Sequence, residues 1–213
     1  MEVLLAKYGE LILKGLNRRT FEAMMLRQFR YRLGKVGKFN VYELQSTVYI
    51  EPLTENEDMD EARRVCTHTF GVIKVSRALV VEKNMDAILK AAKEYIPPFL
   101  AGAKSFKAEA KRSDKRFPLT SIDISKLVGG AVGDACPDLD VDVNHPDVVV
   151  MTEIREKAAY IHAGAFQGAG GMPGCSAGRG LLLLSGGIDS PVAGFMMARR
   201  GLNVEALHFE SYP

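Results

Sequence analysis

The feature that most constrains the fold is a run of four leucines, residues 181–184, that leads directly into a glycine turn. The segment LLLLSGGIDSPVAGFMMARRG continues into NVEALHF, which predicts a strand, a turn, a helix and a second strand. Parallel strands require a crossover, so this order predicts a βαβ unit of a parallel sheet. A unit of this size cannot cover both faces of such a strand. We therefore expect partner strands from a longer chain or from elsewhere.

The turn itself, SGGIDS at residues 185–190, predicts an anion site. Its glycines let backbone N–H groups approach a ligand, and the positive end of the helix that begins near Asp189 adds to the attraction. No lysine follows the glycines, so the motif is not the GxxxxGK(S/T) loop, and SGGIDS also lacks the GxGxxG pattern. The alternative is a plain glycine turn with a serine cap.

Residues 1–57 predict a small α+β domain. The elements are a strand at Val3–Tyr8, a helix with Asn17 at its N-cap, and a hairpin over residues 40–51. Apolar residues recur every fourth position along the helix, at Phe21, Met25, Phe29 and Leu33. This spacing predicts a core-facing stripe. The polar run TENEDMD that follows predicts the boundary of the domain.

Residues 58–165 predict a second α/β domain. We expect strands at 73–81 and 106–111, a hairpin over 147–163, and a helix capped by Ser121. The predicted apolar face of that helix consists of Ile124, Leu127, Val128 and Ala131. Residues 166–179 are rich in glycine and predict a linker or a binding loop, and residues 180–213 hold the βαβ unit.

Composition limits the class of protein. The chain has 213 residues, of which 47% are hydrophobic and 25% are charged, as in an ordinary globular protein. The first residues, MEVLLAKYGE, include an acid and no long apolar run, which argues against a signal peptide, and no apolar run approaches the length that a membrane helix requires, so we expect a cytoplasmic protein. The three cysteines are far apart and predict neither a disulfide framework nor a zinc site.

Charge is distributed unevenly although the formal net charge is only +2. Residues 1–38 hold nine Lys/Arg against three Glu, and residues 101–120 hold six Lys/Arg against two acids. A basic segment alone is more typical of a solvated face than of an RNA site.

Four motifs, in order along the chain, resemble one known family. SGGIDSP resembles the pyrophosphate loop of the ATP-pyrophosphatase superfamily. KYGELILKGLNRRTFE (7–22), FKAEAKRSDKRFPLTSIDISKLVGGAV (106–132) and GGMP (170–173) resemble segments of the tRNA 4-thiouridine synthetase (tRNA sulfurtransferase) family. The resemblance implies a ferredoxin-like domain, a THUMP domain and the truncated start of an ATP-pyrophosphatase domain, which is an α+β fold overall.

The resemblance also implies site residues. Asp189 would be catalytic, and the residues that would bind ATP are Leu183, Leu184, Ser185, Gly186, Gly187, Asp189, Ser190, His208 and Phe209. The residues that would bind RNA are Lys107, Lys111, Arg112, Lys115, Arg116, Ser121, Arg18 and Arg19. Lys7 and Lys14 belong to the same N-terminal basic segment. A histidine such as His208 is by itself more often structural than a ligand.

The implied reaction needs ATP and Mg²⁺. A tRNA uridine O4 is adenylated with release of pyrophosphate, and persulfide sulfur from a cysteine desulfurase then displaces AMP. The family's sulfur-carrying cysteine maps onto none of the three cysteines here. The family is also linked to sulfur transfer for thiamine biosynthesis through a carrier protein, and a homodimer is a further expectation.

Two other classes of function stay open. The chain could be an RNA-binding module with an inert loop remnant, or a different ATP-dependent ligase with its own substrate. Nucleotide affinity separates the first alternative from the family function, and salt-sensitive tRNA binding separates the second.

Overall fold

The computed structural model describes residues 1–10 and 15–210. They divide into two compact units: the central unit, residues 1–3 and 76–165, and the split unit, residues 4–10, 15–75 and 166–210. In chain order the elements are β1 (Glu2–Tyr8), α1 (Arg18–Leu33), β2 (Phe39–Leu44), β3 (Thr47–Pro52), α2 (Met59–Thr67), β4 (Val72–Val81), α3 (Met85–Glu94), β5 (Ser105–Arg112), α4 (Ser121–Ala135), β6 (Asp140–Val141), β7 (Val148–Ile154), β8 (Ala159–Ala163), β9 (Phe166–Gln167), β10 (Arg179–Leu184), α5 (Asp189–Arg199) and β11 (Asn203–His208).

In the split unit, β3 pairs antiparallel with both β1 and β2, and α1 and α2 pack on this sheet. The predicted stripe of α1 is confirmed, because Met25, Phe29 and Leu33 are buried and Phe21 packs against them. Asn17 occupies the N-cap position, but its side chain makes no capping hydrogen bond.

The first core continues past residue 57, where the sequence predicts a domain boundary. Met59, Ala62 and Cys66 of α2 lie in the same cluster as the stripe of α1. The polar run before α2 supplies the N-cap of this helix, Asp58, whose carboxylate accepts hydrogen bonds from the backbone N–H groups of Asp60 and Glu61. A polar run that caps a helix therefore looks like a linker in the sequence.

The glycine-rich segment after β9 is packed rather than a free linker. Residues 168–178, here called the strap, lie against the split unit: Gly170 N–H donates to Val72 O (2.7 Å), and Gly71 N–H donates to Gly170 O (2.7 Å). At Gly171 φ is +77°, and a Cβ there would lie 2.2 Å from the carbonyl oxygen of Arg199. Only glycine permits this approach to the end of α5.

The predicted βαβ unit is confirmed. β10 and β11 pair in parallel from Arg179 opposite Asn203 to Leu184 opposite His208, and α5 connects them. The helix packs closely on the sheet at Gly194, where a Cβ would lie 2.7 Å from Leu182 Cδ2.

The central unit forms one sheet with two helices on it. β8 pairs antiparallel with β4 and β7, and β5 pairs in parallel with β7 and β6. Helices α3 and α4 cover the apolar face of the sheet, with Ile88, Phe106, Val128 and Ile161 fully buried between them.

Two details of α4 differ from the prediction. The N-cap is Thr120 rather than Ser121: Thr120 Oγ1 accepts from Asp123 N–H, and the Asp123 carboxylate accepts from Thr120 N–H, which forms a capping box. Leu127, predicted to face the core, is 44% exposed, and Val132 is buried instead. The other predicted positions, Ile124, Val128 and Ala131, are buried.

Candidate functional site

A groove of about 710 Å³ lies between β5 and α4 in the central unit. We call it the edge groove. One wall is the strand from Lys107 to Lys111, and the other is the glycine-containing side of α4. Its lining residues on α4 and beyond include Ser121, Ile122, Ser125, Lys126, Gly129, Gly130, Gly133, Val141 and Val143.

The strand wall of the edge groove is an open sheet edge. β6 pairs with β5 only at Ser105 and Phe106. In the described part of the chain, residues 107–112 have no strand neighbour on that side, whereas β7 pairs with them on the other. Backbone N–H and C=O groups of an unpaired edge are free to bind a ligand.

The edge groove is lined by three lysines and two acids, Glu109 and Asp134, together with exposed apolar surface, and Asp134 pairs with Lys93 at 3.2 Å. Lys107 pairs with Glu109 at 2.9 Å, whereas Lys111 and Lys126 have no ion-pair partner among the described residues. Ile122 and Val141 are more than 60% exposed. Cations beside apolar surface suit phosphates and stacked bases together.

The predicted RNA-binding residues beyond β5 have different environments. Arg112 is a structural residue, because one of its Nη atoms donates to the carbonyl oxygens of Phe117 (2.8 Å) and Leu119 (2.7 Å). Lys115 is exposed. Arg116 donates to the buried carboxylate of Asp114 while most of its own side chain remains exposed.

The N-terminal basic residues lie in the split unit. Arg18 donates to Glu22 (2.6 Å) and to Ser46 Oγ (2.6 Å), and Lys7 donates to Thr47 Oγ1 (2.9 Å). Arg19 is exposed and lines a depression with Gly15 and Arg18. Lys14, also predicted, lies outside the described residues.

The SGGIDS turn is an open loop at the carboxyl end of β10. Ser185 N–H donates to Ser190 Oγ (3.0 Å), and the two serine hydroxyls are 3.1 Å apart. A Cβ at Gly186 would meet nothing within 4 Å. Asp189 is exposed in the first turn of α5, where no side chain caps the helix. Free helix N–H groups beside open space form an anion site.

The strand ends beside the loop place the other predicted nucleotide-binding residues. Leu184 and His208 are in register, and His208 Nδ1–H donates to Leu184 O at 2.9 Å. This bond gives His208 a structural role that joins the two strands. Phe209 is 73% exposed and Leu183 is 62% exposed.

The described residues contain no group of three or more His, Cys, Asp or Glu side chains that could hold a metal ion. The cysteines are free: Cys66 is buried, which raises the pKa of its thiol to about 12, and Cys175 is exposed. In the same part of the chain, no helix is both long enough and apolar enough to cross a bilayer.

Family models match three successive parts of the chain. They are the ThiI ferredoxin-like domain over residues 3–76, the THUMP domain over residues 82–163, and the thiamine biosynthesis protein ThiI over residues 175–213. Probable tRNA sulfurtransferases of Acetivibrio thermocellus and Alkaliphilus oremlandii are each 42% identical to this chain over 214 residues, across 100% and 99% of it. This chain belongs to the tRNA sulfurtransferase family.

Solved structures agree with this membership. A 4-thiouridine synthetase, crystallised in complex with RNA and with bound ATP, matches 100% of this chain with a TM-score of 0.85 and 30% identity. A Pyrococcus horikoshii protein matches 99% with a TM-score of 0.83 and 26% identity. The chain spans about half the length of the curated tRNA sulfurtransferases it matches, 54% in both cases named above.

Within the family's domain order, the edge groove lies in the THUMP domain and the SGGIDS loop lies in the ThiI segment. Lys126, Gly130 and Gly133 line the groove although the sequence did not predict them as site residues. The available signal was the set of glycines within α4, which leave open space beside the helix at Gly130 and Gly133, whereas nothing in the sequence singled out Lys126.

Proposed function

We propose that this chain is the RNA-holding and ATP-loop portion of a tRNA sulfurtransferase that makes 4-thiouridine. The observation that carries the proposal is the presence, in one chain, of a basic groove along an open strand edge and a phosphate-type loop on a βαβ unit. The chain spans about half the length of its relatives, so we propose the thiolation activity for a protein of their full length and not for this chain alone.

The edge groove is the proposed RNA site. A single-stranded RNA end exposes phosphates, base faces and base edges, and the groove offers lysines, apolar side chains and free backbone groups for these. Of the predicted residues, Lys107, Lys111 and Ser121 line it directly. Lys115 and Arg116 extend the positive surface from the neighbouring loop, while Arg18 and Arg19 would contribute phosphate contacts from the split unit.

The SGGIDS loop is the proposed site for the phosphates of ATP. Gly186 leaves space for them, Ser185 and Ser190 offer hydroxyl groups, and the start of α5 offers N–H groups. Mg²⁺ in nucleotide sites is commonly held by one or two carboxylates together with the phosphates, and the exposed Asp189 fits that role. The bound ion would supply charge neutralisation at the α-phosphate.

Under this proposal the uridine O4 would attack the α-phosphate of ATP and release pyrophosphate. The terminal sulfur of a persulfide would then attack C4 and displace AMP, and a thiol would reduce the remaining S–S bond to leave 4-thiouridine. None of the three cysteines is proposed as the sulfur carrier, because none matches the family's carrier position; the thiol of Cys66 is buried, Cys136 is half-buried, and the exposed Cys175 lies in the strap. Sulfur delivery by a cysteine desulfurase, a thiamine-pathway carrier and a homodimer remain predictions from the resemblance. We expect the chain alone to bind tRNA without thiolating it.

Binding measurements test the two sites separately. Lys111→Ala should weaken binding of an unmodified tRNA about 3- to 10-fold and reduce the slope of log Kd against log salt by about one, because one phosphate contact is lost. Lys90→Ala removes the same charge from an exposed position on α3 and should change neither value. Equal effects of the two variants would contradict a groove-specific site.

The nucleotide site is tested by equilibrium ATP binding with and without Mg²⁺. Asp189→Ala should abolish the Mg²⁺-dependent part of the affinity, whereas Asp138→Ala, an exposed acid in the central unit, should not. No ATP affinity in the unaltered chain would favour the RNA-binding module with an inert loop. ATP binding without salt-sensitive tRNA binding would favour a different ligase.

A further inference from the structure

An acidic residue is buried in a loop of the central unit that also carries Lys115 and Arg116. Asp114 lies in residues 113–120, here called the basic loop, and its side chain is only 5% exposed. The carboxylate accepts from Lys83 Nζ (2.7 Å), from Arg116 Nε (3.1 Å) and from the Arg116 backbone N–H (2.9 Å). These donors, Arg116 first, hold the pKa of Asp114 well below its usual range.

Lys83 connects this carboxylate to the rest of the sheet. It lies two residues after the end of β4, and its Nζ donates both to Asp114 and to the carbonyl oxygen of Glu156 (2.8 Å) in the turn between β7 and β8. The basic loop is therefore tied to two other parts of the central unit through a single ammonium group.

Further contacts fix the two ends of the basic loop. Ser113 N–H and Oγ–H both donate to Ile154 O, at 3.0 and 3.1 Å. Arg112 holds the carbonyl oxygens of Phe117 and Leu119, and the Phe117 ring is buried in the core of the unit. Between these two ends, Asp114 fixes the exposed middle of the loop, because its carboxylate accepts from both the backbone and the side chain of Arg116.

We propose that Asp114 is a positioning residue for RNA binding, which holds the basic loop in one conformation so that Lys115, Arg116 and the N-terminal turn of α4 meet RNA already ordered. The proposal rests on the proposed RNA site in the central unit. A loop that is ordered before binding loses less conformational entropy on binding, which strengthens affinity.

Charge alone predicts the opposite result. Asp114 is a negative charge within a positive surface, so its neutralisation should strengthen the attraction of phosphates. The positioning role predicts that neutralisation weakens binding, because Arg116 and Lys83 lose the carboxylate that orients them. The sign of the change therefore separates the two effects.

The test is tRNA binding by Asp114→Asn, which preserves the shape of the side chain, against Asp138→Asn, which removes an exposed acid from the same unit. Asp114→Asn should raise Kd about 10-fold and reduce the salt slope by at least about one, since fewer phosphates are contacted at once. Asp138→Asn should leave Kd unchanged or slightly lower. Amide hydrogen exchange at Arg116 should accelerate in Asp114→Asn alone.

Variants of Lys83 keep the proposal testable if Asp114→Asn folds poorly. Lys83→Arg retains a donor to Asp114 and should bind tRNA within about twofold of the unaltered chain, whereas Lys83→Gln should resemble Asp114→Asn. Unchanged or tighter binding by a folded Asp114→Asn would overturn the role of Asp114 alone. Absence of salt-dependent tRNA binding in the unaltered chain would overturn the proposed function as well.

Discussion

The edge groove and the SGGIDS loop differ in how completely their surroundings are built. Behind the edge groove, the sheet of the central unit is covered by α3 and α4, and Phe106 and Ile161 are fully buried. Beside the SGGIDS loop, two strands and one helix leave Leu181 64% exposed and Leu183 62% exposed. The edge groove is supported by a buried hydrophobic core, whereas the SGGIDS loop lies on a two-stranded sheet whose leucines are largely exposed.

This difference suggests that binding of RNA and binding of nucleotide depend on different amounts of structure. The two main walls of the edge groove are one strand and one helix, β5 and α4, and the same core holds both in place. The loop supplies backbone groups for phosphates, but the apolar faces around it would gain from further packing. RNA binding should therefore be the more robust property of this chain.

The largest effect expected from this comparison is on stability. Phe106→Ala should reduce the free energy of unfolding by about 3–5 kcal/mol, because a fully buried ring in a covered core leaves a cavity. Leu183→Ala should change it by less than about 0.5 kcal/mol, because that side chain is mostly exposed. Urea unfolding followed by far-UV circular dichroism measures both. Similar losses would show that the two regions are packed alike.

A second, smaller effect concerns the strap. Gly171→Ala should destabilise the packing of the strap on α5. Backbone strain at the positive φ costs about 1–2 kcal/mol, and the contact between the new Cβ and the Arg199 carbonyl adds to this cost. Gly178→Ala is the matched control, since its φ is +86° but a Cβ there meets nothing within 4 Å. Hydrogen exchange at Met172, whose N–H donates to Arg199 O, reports the difference. Equal exchange in the two variants would exclude a close-packing role.

The smallest expected effect has opposite signs for stability and for binding. Gly133→Ala should stabilise α4 by up to about 1 kcal/mol, because alanine favours a helix and a Cβ at this position meets nothing within 4 Å. The same methyl group enters the edge groove and should weaken tRNA binding, with a larger effect for Gly133→Leu. Thermal unfolding and tRNA titration of both variants test this. Unchanged tRNA affinity of Gly133→Leu would place the RNA elsewhere.

Local patterns predicted the elements that local chemistry controls. The spacing of Met25, Phe29 and Leu33 predicted the buried face of α1, and the leucine run with its glycine turn predicted the βαβ unit. The N-cap of α4 was misplaced by one residue because Thr120 and Ser121 are both good caps. Only the backbone conformation of Thr120 decides between them.

The features that the sequence did not predict depend on contacts between distant residues. The composition of the strap is that of a linker, and only the backbone hydrogen bonds of Gly170 with Gly71 and Val72 show that it is packed. Asp114 looks like one more charge in a polar loop, and its burial depends on Lys83, 31 residues earlier. The edge groove exists because β6 stops at Val141, a length that no periodicity encodes.

The unpaired stretch of β5 has a consequence for the behaviour of the protein in solution. A bare strand edge can pair with the same edge of another molecule and begin aggregation, and charged side chains along such an edge oppose this. Lys107 and Lys111 stand on the edge in question. The lysines proposed to bind RNA phosphates would thus also prevent the β5 edges of two RNA-free molecules from pairing, because their charges repel. Substitutions of these lysines that weaken RNA binding would therefore also lower solubility.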